Sequence, residues 1–181
     1  SLVAVKPAKE SRILWSAPNS IPMELNKSEL FSKIGANDVI VINDTKVEKR
    51  RVLSSEGVEV LFVSPVSEGE WQVLFPAKKF SVGDKIQLPE GLELTLKQKG
   101  VPQTVELNQP VDLKYFETHG QMALPPYIQK RRKTLGDEDY QDQDWYQTDW
   151  ADQEGSCAAP TASLHFSAED WEQLRAKGIS V

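Results

Sequence analysis

Two short segments of this chain carry side chains that could do chemistry. The first is Asn43-Asp44-Thr45, which follows the apolar run Val39–Ile42. Asn43 and Thr45 supply neutral donors and acceptors, and Asp44 supplies a charge suited to a ribose hydroxyl or an ammonium group. Polar residues just after the carboxyl end of a buried strand stand where α/β folds usually bind ligands. The plainer alternative is an Asx turn that merely ends the strand. The second segment is Gly155–Phe166, GSCAAPTASLHF. Its small residues let backbone approach a ligand closely. Thr161 and Ser163 offer hydroxyls, and His165 offers a group that exchanges a proton near neutral pH. In a strand, Ser163 and His165 would share a face. A Ser/His hydrolase would need that, but the Gly-x-Ser-x-Gly elbow is missing. A histidine flanked by Leu164 and Phe166 reads equally well as a packed, hydrogen-bonded residue.

Other chemistries find little support. Cys157 is the single cysteine, so neither a disulfide framework nor a thiolate zinc site can be assembled from this sequence; it reads as a small buried apolar side chain. His119 and His165 each lack a second ligand at metal-binding spacing, and no glycine-rich phosphate loop is present. No metal is expected.

The net charge of −6 argues against indiscriminate nucleic-acid binding, which needs a broad basic surface. The charge is uneven, however. Lys49-Arg50-Arg51, Lys78-Lys79 and Lys130-Arg131-Arg132-Lys133 are compact basic runs, whereas the segment from Asp137 to Glu154 holds acidic residues and no basic one. Local runs can hold phosphate on an acidic protein; solvated loop charge is the bland alternative. With 39% hydrophobic and 27% charged residues, composition is that of a globular protein. No apolar run approaches the roughly 18 residues of a membrane span, and no signal-peptide layout appears. A cytoplasmic location is expected.

The elements that must position these segments are of two kinds. Ile13–Trp15 reads as a strand, Ser28–Ile34 as a helix ended by Gly35, and Val39–Ile42 as a strand buried on both faces. Ser167 caps a helix that carries Trp171 and Leu174, with Gly178 at its end. Ile179–Val181 then reads as the start of a buried strand. Between these lie Val58–Val63, Trp71–Phe75, Lys85–Leu88, Leu92–Lys97 and Thr104–Leu107, short β-rich runs separated by glycine turns. A helix over Val111–His119 and the extended Leu124-Pro125-Pro126-Tyr127 lead out of them. The expected architecture is an α/β domain, 1–50 and 124–181, incomplete at its carboxyl end, with an inserted small antiparallel β-barrel and trailing helix over 51–123. The acidic 137–144 stretch reads as its most exposed loop.

Several motifs, taken in order, carry a resemblance. ESRIL (Glu10–Leu14), VINDTKV (Val41–Val47) with Arg51 after it, GQMALPPYI (Gly120–Ile128), WYQTDWA (Trp145–Ala151) and AAPTASLHF (Ala158–Phe166) resemble the amino-terminal half of the S-adenosylmethionine:tRNA ribosyltransferase-isomerase family, over about residues 2–181. The resemblance implies transfer and isomerisation of the ribosyl moiety of S-adenosylmethionine onto 7-aminomethyl-7-deazaguanine in tRNA, giving epoxyqueuosine in queuosine biosynthesis. S-adenosylmethionine would be consumed as a substrate, with tRNA as the partner and no membrane involved. It implies His165 and Asp44 as catalytic residues, and Asn43, Thr45, Pro160 and Thr161 as the S-adenosylmethionine-binding set. Arg51, Lys130, Arg131 and Arg132 would contact tRNA. The sequence departs from the pattern at Ser163, where the family motif has glycine, and at Lys46, where it has arginine. The carboxyl-terminal half is absent, so a fragment or a shortened, non-catalytic homologue that binds tRNA or a ligand is the alternative reading.

Overall fold

The computed structural model describes residues 12–124, 146–156 and 164–181. The chain forms two compact units. One comprises Ser1–Lys46, Pro125–Gly155 and Ala159–Val181; the other comprises Val47–Leu124 with Ser156–Ala158.

The second unit is built on a curled antiparallel sheet of seven strands: β4 (Arg51–Leu53), β5 (Glu59–Ser67), β6 (Glu70–Leu74), β7 (Lys85–Gln87), β8 (Glu93–Gln98), β9 (Gln103–Leu107) and β10 (Gly120–Gln121). Their order is β10-β4-β5-β6-β9-β8-β7. Alternation fixes the faces: Leu94 and Leu96 point into the core of β8 while Lys97 is exposed, and Val60 and Phe62 do the same in β5. These four, with Val52, Val73, Leu92 and Val105, are almost wholly removed from solvent. Each contributes roughly 1.5–3 kcal/mol of hydrophobic stabilisation. Helix α2 (Leu113–His119) adds Tyr115 and Phe116 to this core, and Phe116 meets Phe62 and Trp71 edge-on at 5.1 and 5.9 Å. Asp112 caps α2 through the Tyr115 N–H.

The turn after Glu68 is made by Gly69 at φ 79°, a conformation that costs glycine nothing. Gly120 is required for another reason, since a Cβ there would lie 1.7 Å from the Lys49 carbonyl oxygen and 2.4 Å from that of Phe116. Strand β4 pairs with β5 only over Glu59–Leu61. Just beyond, Phe62 N–H donates to the Arg50 carbonyl, and Arg50 Nη1 donates to the Val63 carbonyl at 2.9 Å. The remainder of β5, Ser64–Ser67, is paired, among the described residues, with β6 alone; it contains Pro65 and follows one register shift and spans another.

The first unit contains the hairpin of β1 (Ile13–Trp15) and β2 (Met23–Leu25), and helices α1 (Lys27–Lys33) and α3 (Ala168–Ala176). Asn26 and Ser167 form capping boxes with Glu29 and Asp170, respectively. Phe31, Trp171, Leu174 and Ile179 make its buried cluster, with Ile40, Ile42, Trp150 and Phe166 packed against it. A two-stranded sheet of β3 (Thr45–Val47) and β11 (Gln153–Ser156) contains points where the chain passes from one unit to the other.

The expectation that Val39–Ile42 is a strand buried on both faces is corrected here. Its link to the carboxyl end is one parallel bridge, Val39 with Ser180, and the side chains alternate. Ile40 and Ile42 pack inward, whereas Val39 is 69% and Val41 91% exposed, because among the described residues no element covers that second face. The passage from Pro125 to Tyr127 and the acidic 137–144 stretch lie outside the described residues.

Candidate functional site

Asn43-Asp44-Thr45 stands between the Val39–Ile42 run and β3. The Asn43 side-chain oxygen accepts a hydrogen bond from the Thr45 N–H at 2.9 Å. This is an Asx turn, so the structural alternative weighed from sequence is realised. It does not consume the neighbouring carboxylate: Asp44 is exposed, and among the described residues only its backbone carbonyl is engaged, accepting from Asp152 N–H at 2.7 Å and Gln153 N–H at 3.1 Å. Trp150 Nε1 donates to the Asn43 carbonyl at 3.1 Å. The turn is thereby held from three directions while its acid faces solvent.

His165 lies in a turn immediately before α3, and its side chain is exposed. The strand geometry that would align it with Ser163 is absent at His165, and Ser163 lies outside the described residues. The turn is fixed by an ionic clamp. Lys27 Nζ, at the first position of α1, donates to the His165 carbonyl at 2.9 Å and to Asp170 Oδ2 at 2.6 Å. The paired side chains are only 14% and 12% exposed. Burial pushes the Asp170 carboxyl up, but hydrogen bonds from Lys27 and the Ser167 N–H and the Lys27 charge outweigh it, holding the group below the usual aspartate value.

A run of aromatic rings joins the two segments. Trp150, bonded to Asn43, meets Trp171 edge-on at 5.0 Å. Trp171 stacks on Phe166 at 6.2 Å, and Phe166, beside His165, stacks on Phe31 at 5.9 Å. Asn43–Thr45 and His165 are thus tied to one aromatic cluster within one unit. Two buried polar atoms near it, Thr148 Oγ1 and Trp171 Nε1, have no hydrogen-bond partner among the described residues. Groups in that position cost about 1–3 kcal/mol each.

Arg51 belongs to the other unit. Its guanidinium bonds Gln121 at 2.5 Å and lies 3.2 Å from Glu59, so it ties three strands of the sheet together. Arg50, beside it, pairs with Glu48 and lies over the Trp71 ring. Two of the three charges in the 49–51 basic run are therefore spent on the fold. Pro160, Thr161, Lys130, Arg131, Arg132 and Cys157 lie outside the described residues. Among the described residues no group of three His, Cys, Asp or Glu side chains comes together, and no helix is long and apolar enough to cross a membrane. Sequence reasoning missed Lys27 and Trp150. The pairing of Asp170 with a lysine 143 positions away left no local signal.

An exposed imidazole, an exposed carboxylate and a hydroxyl-bearing turn thus share one aromatic support. The profile of the queuosine biosynthesis protein family matches residues 1–181. An S-adenosylmethionine:tRNA ribosyltransferase-isomerase from Staphylococcus haemolyticus is 34% identical over 100% of this chain and 55% of its own length. Its counterpart from Parvibaculum lavamentivorans is 34% identical over 99% and 55%. A crystal structure of an S-adenosylmethionine tRNA ribosyltransferase from Thermotoga maritima aligns with 99% of the chain and 51% of its own, at 19% identity and a TM-score of 0.38. The chain belongs to the queuosine biosynthesis protein family. It spans about half the length of the curated relatives it matches, and the match is to their amino-terminal half.

Proposed function

We propose that this chain supplies the amino-terminal half of an S-adenosylmethionine:tRNA ribosyltransferase-isomerase. That enzyme would transfer the ribosyl part of S-adenosylmethionine to 7-aminomethyl-7-deazaguanine in tRNA and isomerise it to the epoxyqueuosine base. The carrying observation is similarity along the whole chain, 34% identity over 100% of it, to a protein of that name. The chemistry asks for a base to take a proton beside the sulfonium, an acid to assist adenine departure and a neutral amine to attack. His165 is assigned proton transfer. Asp44 has an exposed carboxylate suited to the amine or to a ribose hydroxyl, and Asn43, Thr45, Pro160 and Thr161 are assigned to hold S-adenosylmethionine. Lys130, Arg131 and Arg132 are assigned to tRNA phosphate, a role for which Arg51 would first have to release Glu59 and Gln121. The seven-stranded sheet is read as a barrel-like insert in an α/β host.

Release of free adenine from S-adenosylmethionine, measured chromatographically with tRNA carrying the deazaguanine, tests the reading. A protein of the relatives' length that contains this sequence is expected to release adenine only with that tRNA present, and the 181-residue chain alone to release none. No release by the longer protein overturns the proposal; release by the short chain overturns the claim that half is insufficient. Replacement of Arg131 and Arg132 by Glu should flatten the salt dependence of tRNA binding by a log–log slope of about one per lost contact.

A further inference from the structure

Lys78 and Lys79 have no part in the site described above, yet the fold gives them company. They occupy a single 3-10 turn after β6, and both are exposed. Two sets of bonds fix where that turn sits. The buried Gln103 amide clasps the backbone of Phe75, accepting from its N–H and donating to its carbonyl, both at 3.3 Å. Phe80, just past the turn, packs edge-on against Phe75 at 5.3 Å. Downstream, Gly83 N–H donates to the Leu96 carbonyl and Leu96 N–H to the Asp84 carbonyl. The β8–β9 turn, 99–102, springs from the same place, since Gln98 pairs with Thr104 and Gln103 with Val73. Loop 76–84 and turn 99–102 therefore share one end of the sheet, and Lys99 joins Lys78 and Lys79 there.

The charge at this end is lopsided. Lys78, Lys79 and Lys99 are exposed and, among the described residues, carry no ion pair, whereas Lys97 is matched by Glu106 at 3.0 Å and Lys85 by Glu93 at 2.6 Å. The one carboxylate within the two loops is Asp84, whose oxygen accepts from the Ser81 N–H. Three exposed ammonium groups on two loops at one end of the sheet, in a chain of net charge −6, form a local concentration of positive charge. Lysines on flexible stems suit a line of phosphates, which they meet as point charges without needing a fixed geometry. An isolated surface lysine would not; a group drawn from two loops provides the repeated contacts that polyanion binding requires.

We propose that the loop cluster Lys78, Lys79 and Lys99 is a contact surface for the phosphate backbone of RNA, a second tRNA-contacting region on the β-rich unit. It rests on the reading that tRNA is the partner and adds where on this unit the backbone lies. It reads no base and adds no chemistry. Its contribution is affinity and orientation, carried by counterion release.

The test compares the full chain with Lys78→Glu/Lys79→Glu/Lys99→Glu and with the neutral Lys78→Gln/Lys79→Gln/Lys99→Gln. The probe is an unmodified tRNA transcript, titrated from about 50 to 200 mM salt. Circular dichroism confirms that each variant is folded, and the Gln variant carries the test if the Glu variant is not. The expected result is a log–log slope smaller by about 2–3, at 0.7–0.9 per lost contact, and affinity near 0.1 M salt lower on the order of 10²-fold. Binding by the unaltered chain with an unchanged slope in the variants overturns the surface and leaves the proposed function standing on adenine release. No tRNA binding by the unaltered chain even at 50 mM salt also overturns the surface. Adenine release by the longer protein decides separately whether the proposed function falls with it.

Discussion

Replacing Lys27 with Met removes one ammonium group while keeping most of its stem packed. The structure lets the cost be worked out. Lys27 and Asp170 are 2.6 Å apart with side chains 14% and 12% exposed. A charge pair at that distance attracts by about 6 kcal/mol at an effective dielectric of 20, most of which desolvation cancels. Removing one member of a buried pair usually costs about 3–5 kcal/mol. Asp170 keeps the Ser167 N–H at 2.8 Å, so its carboxylate is not stranded and about 2–4 kcal/mol is expected. Urea unfolding followed by tryptophan fluorescence is a direct assay, because Trp150 and Trp171 sit in the adjoining cluster. With Asp170→Asn the cycle should close with a coupling of about 1–3 kcal/mol. The pH dependence has a definite sign. Asp170 titrates below its ordinary 3.8 in the folded protein, so its contribution is complete above about pH 4 and is lost as pH falls through the lower folded value. Lys27→Met should flatten that acid limb. A loss below about 0.5 kcal/mol, or strictly additive single and double variants, would refute the clamp.

Three further outcomes are expected. Thr148→Val deletes a buried hydroxyl without a partner among the described residues and should raise stability by about 1 kcal/mol in the same urea assay; a loss of that size would mean the hydroxyl is satisfied in solution. Gly120→Ala drives a methyl group into two backbone carbonyls and should cost about 3 kcal/mol or more, seen as a lowered melting temperature, with near-normal melting as the contrary result. In a protein of the relatives' length, His165→Asn should leave folding intact and lower turnover by about 10²–10⁴-fold; a rate near that of the parent would make His165 a structural residue.

What was legible in the sequence was local. Ser167 marked the start of α3, and the run Leu92–Lys97, where Leu94 and Leu96 alternate with Thr95 and Lys97, marked β8, because caps and pleats act over a few positions. Strands β4, β10 and β11 went unseen. They are two to four residues long, and what defines them is pairing with partners such as Val52 with Gly120, nearly 70 positions apart. Val39–Ile42 misled for a related reason: four apolar residues in a row state that a face can be buried, not that a neighbour is present to bury it. In the candidate site, residue types drew attention to Asp44 and His165. The clamp from Lys27 and the indole bond from Trp150 are long-range contacts with no spacing to betray them.

The one-sided part of β5 has a bearing on how the protein behaves at high concentration. Once the ladder to β4 stops, Ser64–Ser67 has no partner on that side among the described residues, the kind of strand edge from which intermolecular sheet growth begins. Three local features spoil the template. Arg50 occupies the Val63 carbonyl at the point where pairing would begin, Pro65 has no N–H to offer, and the two register shifts bend the strand. Pro65→Val would restore a donor between Ser64 and Val66, and the variant is expected to show more sheet-type self-association than the parent at equal protein concentration.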